Sequence, residues 1–463
     1  MEVWEICEEI AGKQEWYHKV FDPIIVEKWR KESKNDANFS LALSLVQASA
    51  KGTKIEKNCE WEEGLCHECV QECKNHLMHS PEDIHFDDEE DDDLTNEKRI
   101  AKFFADPDWQ YSDCVYNMLS DSDCDHIRCK CISPDCELSD YICYHPDGLL
   151  NDNLHKQLKE LITKMNAQES VDWHPNSNEQ VRDLIHPSLF AYVSGKSVHN
   201  DGKVKEKYND ELNDYQWLPA EFEIKDGKVR ITSYINNLDE EKYPEFIPLV
   251  EEVFAQYLPN LETVMNKKLD NRTLQVIVKV GSILLNKEKS KYNGSSWHIE
   301  GIPNERISAT AIHYVESSQI TDSFLEFRKP TIINEDNLPY PQSDSKFTKH
   351  HYGITDHFDG TMNRYLGMIK CHENADVIFP NNLQHRVKEF ELDGNEGLRT
   401  IICFFVVDPD QRIISTKDIP KQQNTMSLED AKFYRERLMF HRKYYVGQFN
   451  QEVICRSFSL CEH

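Results

Sequence analysis

The chain has 463 residues, and its 82 acidic against 53 basic side chains give a formal net charge of −29. A protein this negative, with no cluster of Lys and Arg, is a poor candidate for binding nucleic acid, because sequence-independent binding depends on neutralising phosphates. The sequence shows no basic, apolar leader and no run of eighteen apolar residues. We therefore expect an intracellular protein, cytoplasmic or nuclear, without a membrane partner.

Residues 1–58 are expected to form an N-terminal helical segment, in which Phe21-Asp22-Pro23 opens a helix. Ten of the fifteen cysteines lie from Cys59 to Cys143, and the same stretch contains the acidic run 87–93. Such a run repels itself, which is typical of a solvated loop. The pattern predicts an acidic, cysteine-rich helical insertion over residues 59–150.

Four soft metal ligands share one face if residues 62–79 are helical, namely Cys66, Cys69, Cys73 and His76. Thiolates clustered with an imidazole can hold structural zinc in a closed tetrahedral site. Further cysteines and histidines between residues 124 and 145 could complete this site or form a second one. Two alternatives stay open, since buried cysteines often serve as small hydrophobic residues and a pair such as Cys66 and Cys69 can be redox-active.

Residues 151–463 are predicted to form one domain of helices and short strands. The segment 239–258 predicts an amphipathic helix from its three-and-four apolar spacing, and Ser427-Leu428-Glu429-Asp430 predicts the start of a last helix running to about His441. Seven β-rich runs lie between turns, at residues 274–280, 309–315, 324–327, 368–371, 376–379, 387–392 and 400–408. The pattern favours an α+β fold whose core is a double-stranded β-helix, or jelly roll, braced by helices.

Three residues from two distant parts of the sequence match the ligand set of a non-haem iron site. His298 and Glu300 stand two apart in Trp-His-Ile-Glu-Gly, so they would share a face of a regular strand, and His385 follows a strand that stops at Pro380. Two imidazoles and one carboxylate leave half of the coordination sphere of Fe(II) open for a 2-oxo acid and dioxygen. Since Glu300 takes the space that a halide would need, hydroxylation or desaturation is favoured over halogenation.

Arg399, fourteen positions after His385, is the expected cation for the far carboxylate of 2-oxoglutarate. A buried anion needs a positive partner, and a guanidinium stays charged and can hold a carboxylate through two parallel hydrogen bonds. Arg399 also precedes an apolar strand that would aim it into the barrel. Thr310, Tyr314 and Lys279 are further candidates for the same pocket.

Several segments carry a resemblance to a known family, namely 15–22, 172–177, 183–189, 216–219, 231–238, 297–304, 379–387 and 408–420. In these segments the chain resembles the largely fungal domain-of-unknown-function family numbered four-two-four-six, which looks like a branch of the Fe(II)/2-oxoglutarate oxygenases. The resemblance implies that His298, Glu300 and His385 bind iron and that Arg399 anchors 2-oxoglutarate. It leaves the substrate undefined, and the cysteine-rich stretch 59–145 departs from the family pattern.

Two of these segments are dense in polar side chains, one with Tyr234, Asn236 and Asn237, the other with Asp183, His186 and Ser188. Such groups could line a substrate pocket. Equally, they could satisfy buried backbone groups, which is the commoner role of Asn and Ser. Both interpretations stay open on the sequence.

Together these features favour an Fe(II)/2-oxoglutarate-dependent dioxygenase that acts on a small-molecule or amino-acid-type substrate. One alternative is an iron dioxygenase that does not use 2-oxoglutarate, with Arg399 holding a substrate carboxylate; release of succinate separates the two. Another is a catalytically silent jelly roll that serves as an interaction module, whose function would survive His385→Ala.

Overall fold

A computed structural model describes residues 2–13, 15–33, 36–51, 138–205, 214–332 and 362–455. Nearly all of these belong to one unit, made of residues 1–49, 136–332 and 363–456. A second unit takes residues 50–135, 333–362 and 457–463, almost all of them outside the described part. The boundaries predicted after residues 58 and 150, and the helical character of the insertion between them, stay predictions.

The described residues contain seven α-helices: α1 (Glu2–Ala11), α2 (Trp16–Lys19), α3 (Pro23–Glu32), α4 (Asp36–Ala50), α5 (Asp152–Gln168), α6 (Phe246–Met265) and α7 (Leu428–Phe449). The first four lie within the segment 1–58 that was predicted to be helical, of which residues 52–58 are outside the described part. Asp22 caps α3 as expected, because its carboxylate accepts a hydrogen bond from the amide of Ile24 at 2.8 Å. The α4 helix is tied to the core through Asn382, whose side chain donates to the carbonyl of Ser44.

Sixteen strands lie in the described part of the chain: β1 (Cys143–His145), β2 (Asp172–Trp173), β3 (Val181–Ile185), β4 (Tyr192–Val193), β5 (Tyr215–Gln216), β6 (Ala220–Lys225), β7 (Lys228–Ile231), β8 (Thr273–Asn286), β9 (Lys291–Tyr292), β10 (Ile307–Ser318), β11 (Phe324–Pro330), β12 (Asn363–Lys370), β13 (Asp376–Pro380), β14 (Gln384–Val387), β15 (Phe390–Glu391) and β16 (Glu396–Val407). A large antiparallel sheet has the order β1-β13-β10-β16-β8-β3-β2, with the β6–β7 hairpin joined to β8. A small antiparallel sheet has the order β12-β11-β14.

The two faces of the large sheet bury different cores. Along β16, Phe404 and Val406 lie on the face of the sheet that is covered by α5 and α6, and they belong to the core between the sheet and these helices. The alternate residues Cys403 and Phe405 face inward and pack with Phe327 of the small sheet. This period-two alternation is what a strand buried on both faces requires. The result is a mixed helical and antiparallel β protein in which two sheets pack face to face, as the α+β prediction expects.

The bounds of several elements differ from the prediction. The helix predicted at 239–258 is α6, which begins only at Phe246, continues through Pro259 to Met265 and is capped by Asn266, a residue in the left-handed conformation with φ 49°. The predicted strand at 387–392 is in fact β14 followed by the two-residue β15. The last helix begins at the predicted Ser427 cap and continues to Phe449. Among the described helices, none is both long and apolar enough to cross a bilayer.

Candidate functional site

His298 and His385 are held side by side by a pair of backbone hydrogen bonds. The amide of each donates to the carbonyl of the other, at 3.2 and 3.0 Å. Their rings then lie 4.5 Å apart between centroids, and the His385 ring also packs edge-on against Phe379. His385 lies in β14, whereas His298 lies in an extended segment rather than in a regular strand. The backbone pairing therefore brings the two imidazoles together.

The backbone on either side of Glu300 is fixed by Asn381 and Gly301. The Asn381 amide oxygen accepts from the amide of Glu300 at 2.8 Å, and its nitrogen donates to the carbonyls of Glu300 and Ile307 at 2.8 and 3.0 Å. Gly301 adopts φ +72°, where a Cβ would come within 2.7 Å of Glu305. The chain can therefore turn sharply after Glu300 only because residue 301 is glycine.

A buried carboxylate, Glu305, closes the same loop from the other side. Glu305 has no exposed surface, and it accepts hydrogen bonds from the amides of Trp217 at 2.6 Å and Ile302 at 3.0 Å. It also forms an ion pair with Arg442 of α7, whose guanidinium lies 3.7 Å above the Trp217 ring. Charge and hydrogen-bonding capacity are thus satisfied without solvent, which stabilises the loop that carries Glu300.

The three predicted metal ligands form one cluster, called here the His298 cluster: His298, Glu300 and His385. One ligand atom from each lies within 4.8 Å of the others. Glu300 Oε1 lies 3.8 Å from His298 Nε2 and 3.4 Å from His385 Nε2. The structure therefore brings together all three residues that the sequence predicted to meet.

The protonation states in this cluster suit a divalent cation. Burial, together with the charge of His385, lowers the pKa of His298 to about 4. Burial opposes ionisation of Glu300, but its contacts with the two imidazoles lower its pKa to about 2, so the carboxylate is ionised. His298 Nδ1 donates to the carbonyl of Ser296 at 2.7 Å, so its Nε2 keeps a lone pair that faces the cluster. The donor set fits Fe(II).

A second group has the same kinds of side chains and is called the His174 cluster: His174, Asp183 and His186. His174 Nδ1 donates to Asp183 at 3.0 Å, and an Arg435 nitrogen lies 4.0 Å from the same carboxylate. The amide of Ser188 donates to His186 Nδ1 at 3.2 Å. In its neutral form, His186 then carries its proton on Nε2 and has no lone pair left for a metal. This cluster was not predicted as a unit.

Arg399 lies on the inner face of the large sheet with only 2% of its surface exposed. Its guanidinium carbon stands 5.0 Å above the ring of Tyr314, and the thiol of Cys371 donates to the Tyr314 hydroxyl at 3.0 Å. No carboxylate of the described residues lies within ion-pair distance of Arg399, and its Nε has no hydrogen-bond partner there. A buried cation without an anion is costly, so this arrangement fits a site that awaits a carboxylate.

Cys403 links this cation to the His298 cluster. Burial raises the pKa of the Cys403 thiol to about 12, while the charges of Lys279 and Arg399 lower it and that of Glu300 raises it. The thiol thus lies within electrostatic reach of both Arg399 and Glu300. Lys279 is directly opposite Cys403 on β8 and, in the described part of the chain, makes no ion pair. Positive charge therefore faces the cluster from two strands.

Of the residues predicted to line the 2-oxoglutarate pocket, two lie near Arg399 and one does not. Tyr314 lies directly beneath the Arg399 guanidinium, and Lys279 lies on the same inner face. Thr310, in contrast, is opposite Phe405, six positions along β16 from Arg399. At about 3.3 Å per residue this is roughly 20 Å, so Thr310 does not share one small carboxylate with Arg399. The prediction for Thr310 is corrected because the strand carries it past the pocket.

Several residues that support the site were not predicted. Asn381 stood inside a recognised segment and Glu305 directly after one, but nothing local indicates that they hold Glu300. The hydroxyl of Tyr292 is also close, since the charges of Arg399 and Lys279 act on its pKa, which burial raises. The period-two alternation of β16 predicts which of its residues face inward. It does not predict which residues of neighbouring strands lie beside them.

The polar segments of the sequence prove mainly structural. The Asn236 amide donates to the carbonyl of Leu189 at 3.1 Å, and the Tyr234 hydroxyl donates to that of Pro420 at 3.0 Å. The Ser188 hydroxyl accepts from the indole of Trp217 at 2.9 Å. These contacts favour the interpretation that the side chains satisfy buried groups. The predicted zinc ligands Cys66, Cys69, Cys73 and His76 and the acidic run 87–93 lie outside the described residues.

Solved structures with some similarity include a protein named IDO from Bacillus thuringiensis, at 10% identity and a TM-score of 0.31, covering 58% of this chain and 90% of that one. Another is the non-haem α-ketoglutarate-dependent epimerase SnoN of nogalamycin biosynthesis, at 10% identity and a TM-score of 0.27, covering 57% of this chain and 78% of that one. A third is a prolyl hydroxylase from Trichoplax adhaerens in complex with a peptide fragment of hypoxia-inducible factor. It has 10% identity and a TM-score of 0.26, and the match covers 58% of this chain and 84% of that one. These TM-scores are too low to carry an argument about this chain.

None of the curated proteins matches the sequence. A family model does match it, over residues 135–272 and 262–430, which together take in the His298 cluster, Arg399 and the His174 cluster. This range is more than half of the chain, and it agrees with the resemblance seen in the sequence. The chain therefore belongs to the family described as protein of unknown function, DUF4246.

Proposed function

We propose that this protein is an Fe(II)- and 2-oxoglutarate-dependent dioxygenase. The observation that carries the proposal is the presence of two features together: a partly buried His298 cluster, of which His385 is buried, and a buried Arg399 without an anionic partner among the described residues. Either feature by itself also occurs in proteins that lack this activity. Together they match the two requirements of the chemistry, a half-open metal site and a cation for the far carboxylate of a 2-oxo diacid.

The residues have distinct roles in this proposal. His298, Glu300 and His385 would hold the iron, and Arg399 would hold the far carboxylate of 2-oxoglutarate while Tyr314 supports the guanidinium from below. Iron with bound 2-oxoglutarate supplies the activation of dioxygen, coupled to oxidative decarboxylation of the co-substrate. The chain contributes orientation and a pocket from which most water is excluded. Lys279 adds positive charge beside Cys403.

Hydroxylation or desaturation of a small-molecule or amino-acid-type substrate remains the favoured outcome. Glu300 supplies the third ligand, so a halide would have to displace a carboxylate that its neighbours hold in the charged form. The inner face carries both positive and negative groups, which suits a polar substrate. An intracellular location would supply the Fe(II) and 2-oxoglutarate that such an enzyme needs.

The direct test is anaerobic addition of Fe(II) and 2-oxoglutarate to the purified protein. We expect a visible metal-to-ligand charge-transfer band that saturates at one iron and one 2-oxoglutarate per chain. Admission of oxygen should then release succinate. Iron binding without a band would favour the alternative in which Arg399 holds a substrate carboxylate. Absence of iron binding at saturating Fe(II) would contradict the proposal and favour the silent interaction module.

Arg399 variants test the second half of the proposal separately. Arg399→Ala should raise the 2-oxoglutarate concentration needed for half of the band by about 100-fold, since a charge-assisted pair is lost in a buried pocket. Arg399→Lys keeps the charge but loses the bidentate geometry, so we expect a smaller loss. Iron affinity, measured without 2-oxoglutarate, should be unchanged in both variants. Equal 2-oxoglutarate affinity in Arg399→Ala and wild type would exclude this role.

A further inference from the structure

The last helix, α7, has two apolar seams on opposite sides. The inner seam is buried against the rest of the protein and contains Ala431, Arg435, Leu438, Tyr445 and Phe449. The outer seam, so called below, consists of Phe433, Arg437, Phe440 and Tyr444. Its three aromatic side chains are exposed by 53%, 71% and 68% in that order. Exposed aromatic rings in one line on a helix are unusual for a surface that only meets water.

The outer seam has the spacing of a coiled coil. Its residues follow one another at intervals of four, three and four, which is the alternation of the a and d positions in a heptad. Glu436 and Lys443 flank the seam one heptad apart, both exposed and, within the described part of the chain, without an ion-pair partner. An apolar seam flanked by charged residues is the pattern of a helix that pairs with a second helix.

We propose that the outer seam pairs with the same seam of a second copy of this chain, antiparallel across a two-fold axis. In this pairing, Phe433 meets Tyr444 of the partner subunit, and Arg437 lies over Phe440 of the partner subunit. Glu436 meets Lys443 of the partner subunit. Each contact occurs twice by symmetry, which gives a closed, isologous dimer. Aromatic pairing, cation–π contact and opposite charges then agree in one register.

A parallel pairing does not satisfy the same residues. It would place Arg437 against Arg437 of the partner subunit at the centre of the seam, where two like charges repel. It would also leave Glu436 opposite His441 of the partner subunit and so separate the Glu436–Lys443 pairs. The antiparallel arrangement removes both conflicts. The sequence of the helix therefore selects the orientation as well as the partner.

The contact is small, so we expect reversible association. The seam from Phe433 to Tyr444 spans about 17 Å of helix at 1.5 Å per residue. Because interfaces at the low end of the size range are mostly transient, we expect a weak dimer with a dissociation constant on the order of 10 µM. The His298 cluster is not part of the seam, so the dimer and the proposed chemistry can be tested independently.

Sedimentation velocity of the full-length protein tests the proposal at concentrations on either side of the expected dissociation constant. Wild-type protein should shift from monomer to dimer. Phe440→Glu should weaken association by at least about 100-fold, because each dimer loses two central aromatic contacts. Phe21→Glu is the matched control, since Phe21 is a phenyl group with 54% exposure outside the seam. Its association should equal that of wild type.

Charge reversal tests the orientation without removing any aromatic contact. Glu436→Lys and Lys443→Glu should each weaken the dimer by about three- to tenfold, because each creates two like-charged pairs. The double variant restores both pairs and should associate within about twofold of wild type. Monomeric behaviour of the wild type throughout, a dimer that survives Phe440→Glu, or failure of the double variant to recover would each overturn the proposal.

Discussion

The His298 cluster and the His174 cluster contain the same kinds of side chains, yet their hydrogen bonds run in opposite directions. In the first, His298 Nδ1 donates to the carbonyl of Ser296, which leaves the lone pair on the nitrogen facing the cluster. In the second, His186 Nδ1 accepts from the amide of Ser188, which places the proton of the neutral imidazole on Nε2. One histidine is therefore ready to bind a metal, and the other is not.

The source of positive charge also differs between the clusters. Arg435 lies 4.0 Å from Asp183 and, through two further hydrogen bonds, binds Asp172 at 2.6 and 3.2 Å. A guanidinium that is hydrogen-bonded to Asp172 thus also lies at the limit of ion-pair distance from the carboxylate of the His174 cluster. Glu300, in contrast, meets only histidines within ion-pair distance in the described part of the chain. Two His-carboxylate groups of equal composition can therefore have different roles, and the atoms around them decide which.

The largest expected effect separates the two clusters by metal binding. His298→Ala should weaken binding of Fe(II) or Co(II) by more than 100-fold, because it removes a ligand rather than a supporting hydrogen bond. His174→Ala, in the other cluster, should leave both the affinity and the stoichiometry of one metal per chain unchanged. Anaerobic equilibrium dialysis with metal analysis measures both variants. Two metals per wild-type chain, or equal losses in the two variants, would show that the clusters do not differ as argued.

A smaller effect is expected from the residue that positions Glu300 without touching the metal. Asn381→Ala removes three hydrogen bonds to the loop, two of them to Glu300 itself, so the carboxylate would no longer be held beside the histidines. We expect metal affinity to fall by about 10- to 100-fold, the usual range for supporting residues. Anaerobic titration with Co(II), followed by its visible spectrum, measures the loss.

The neighbouring Asn382→Ala variant is the matched control for Asn381→Ala. Asn382 donates a hydrogen bond to the carbonyl of Ser44 in α4 and makes none to Glu300. Its loss should lower stability slightly and leave Co(II) affinity within about twofold of wild type. If both variants lose affinity equally, the loop is held by its general packing and not by the Asn381 side chain.

The metal ligands were predictable from the sequence, whereas most of their support was not. His298, Glu300 and His385 are recognisable because only a few residue types bind iron and their local context is distinctive. Asn381 is 81 positions from Glu300, and its role depends on how β13 and the loop before β10 meet in space. The difference between the two clusters likewise depends on whether a carbonyl or an amide faces one ring nitrogen.

The fold shows the same division. Strands such as β8, β10 and β16 were predicted because buried strands are runs of apolar residues, although each predicted strand was shorter than the observed one. His385 was expected after a turn, but the pairing of β14 with β11 that fixes its ring involves residues far apart in the sequence. The position of Thr310 was missed for a related reason, since inward orientation alone does not give the distance along the sheet.

The smallest expected effect is a pH dependence of stability that belongs to the His174 cluster. Burial lowers the pKa of His186 well below its ordinary value, and the neighbouring Asp183 carboxylate opposes this only in part. The folded protein therefore keeps His186 neutral at pH values where the unfolded chain, with a pKa of about 6.5, takes up a proton. The contribution of this group is fully present above that pH and is lost as the pH falls below it.

Urea unfolding at pH 7, 6 and 5 in wild type and His186→Gln measures this contribution. One such group changes the free energy of unfolding by at most about 1.4 kcal/mol per pH unit, so between pH 7 and 5 wild type should lose about 1–2 kcal/mol more than His186→Gln. His18→Gln, at an exposed histidine of α2, should follow the wild-type profile. Parallel loss of stability in wild type and His186→Gln would mean that His186 protonates in the folded protein, so that its Nδ1 could not be the acceptor of the Ser188 amide.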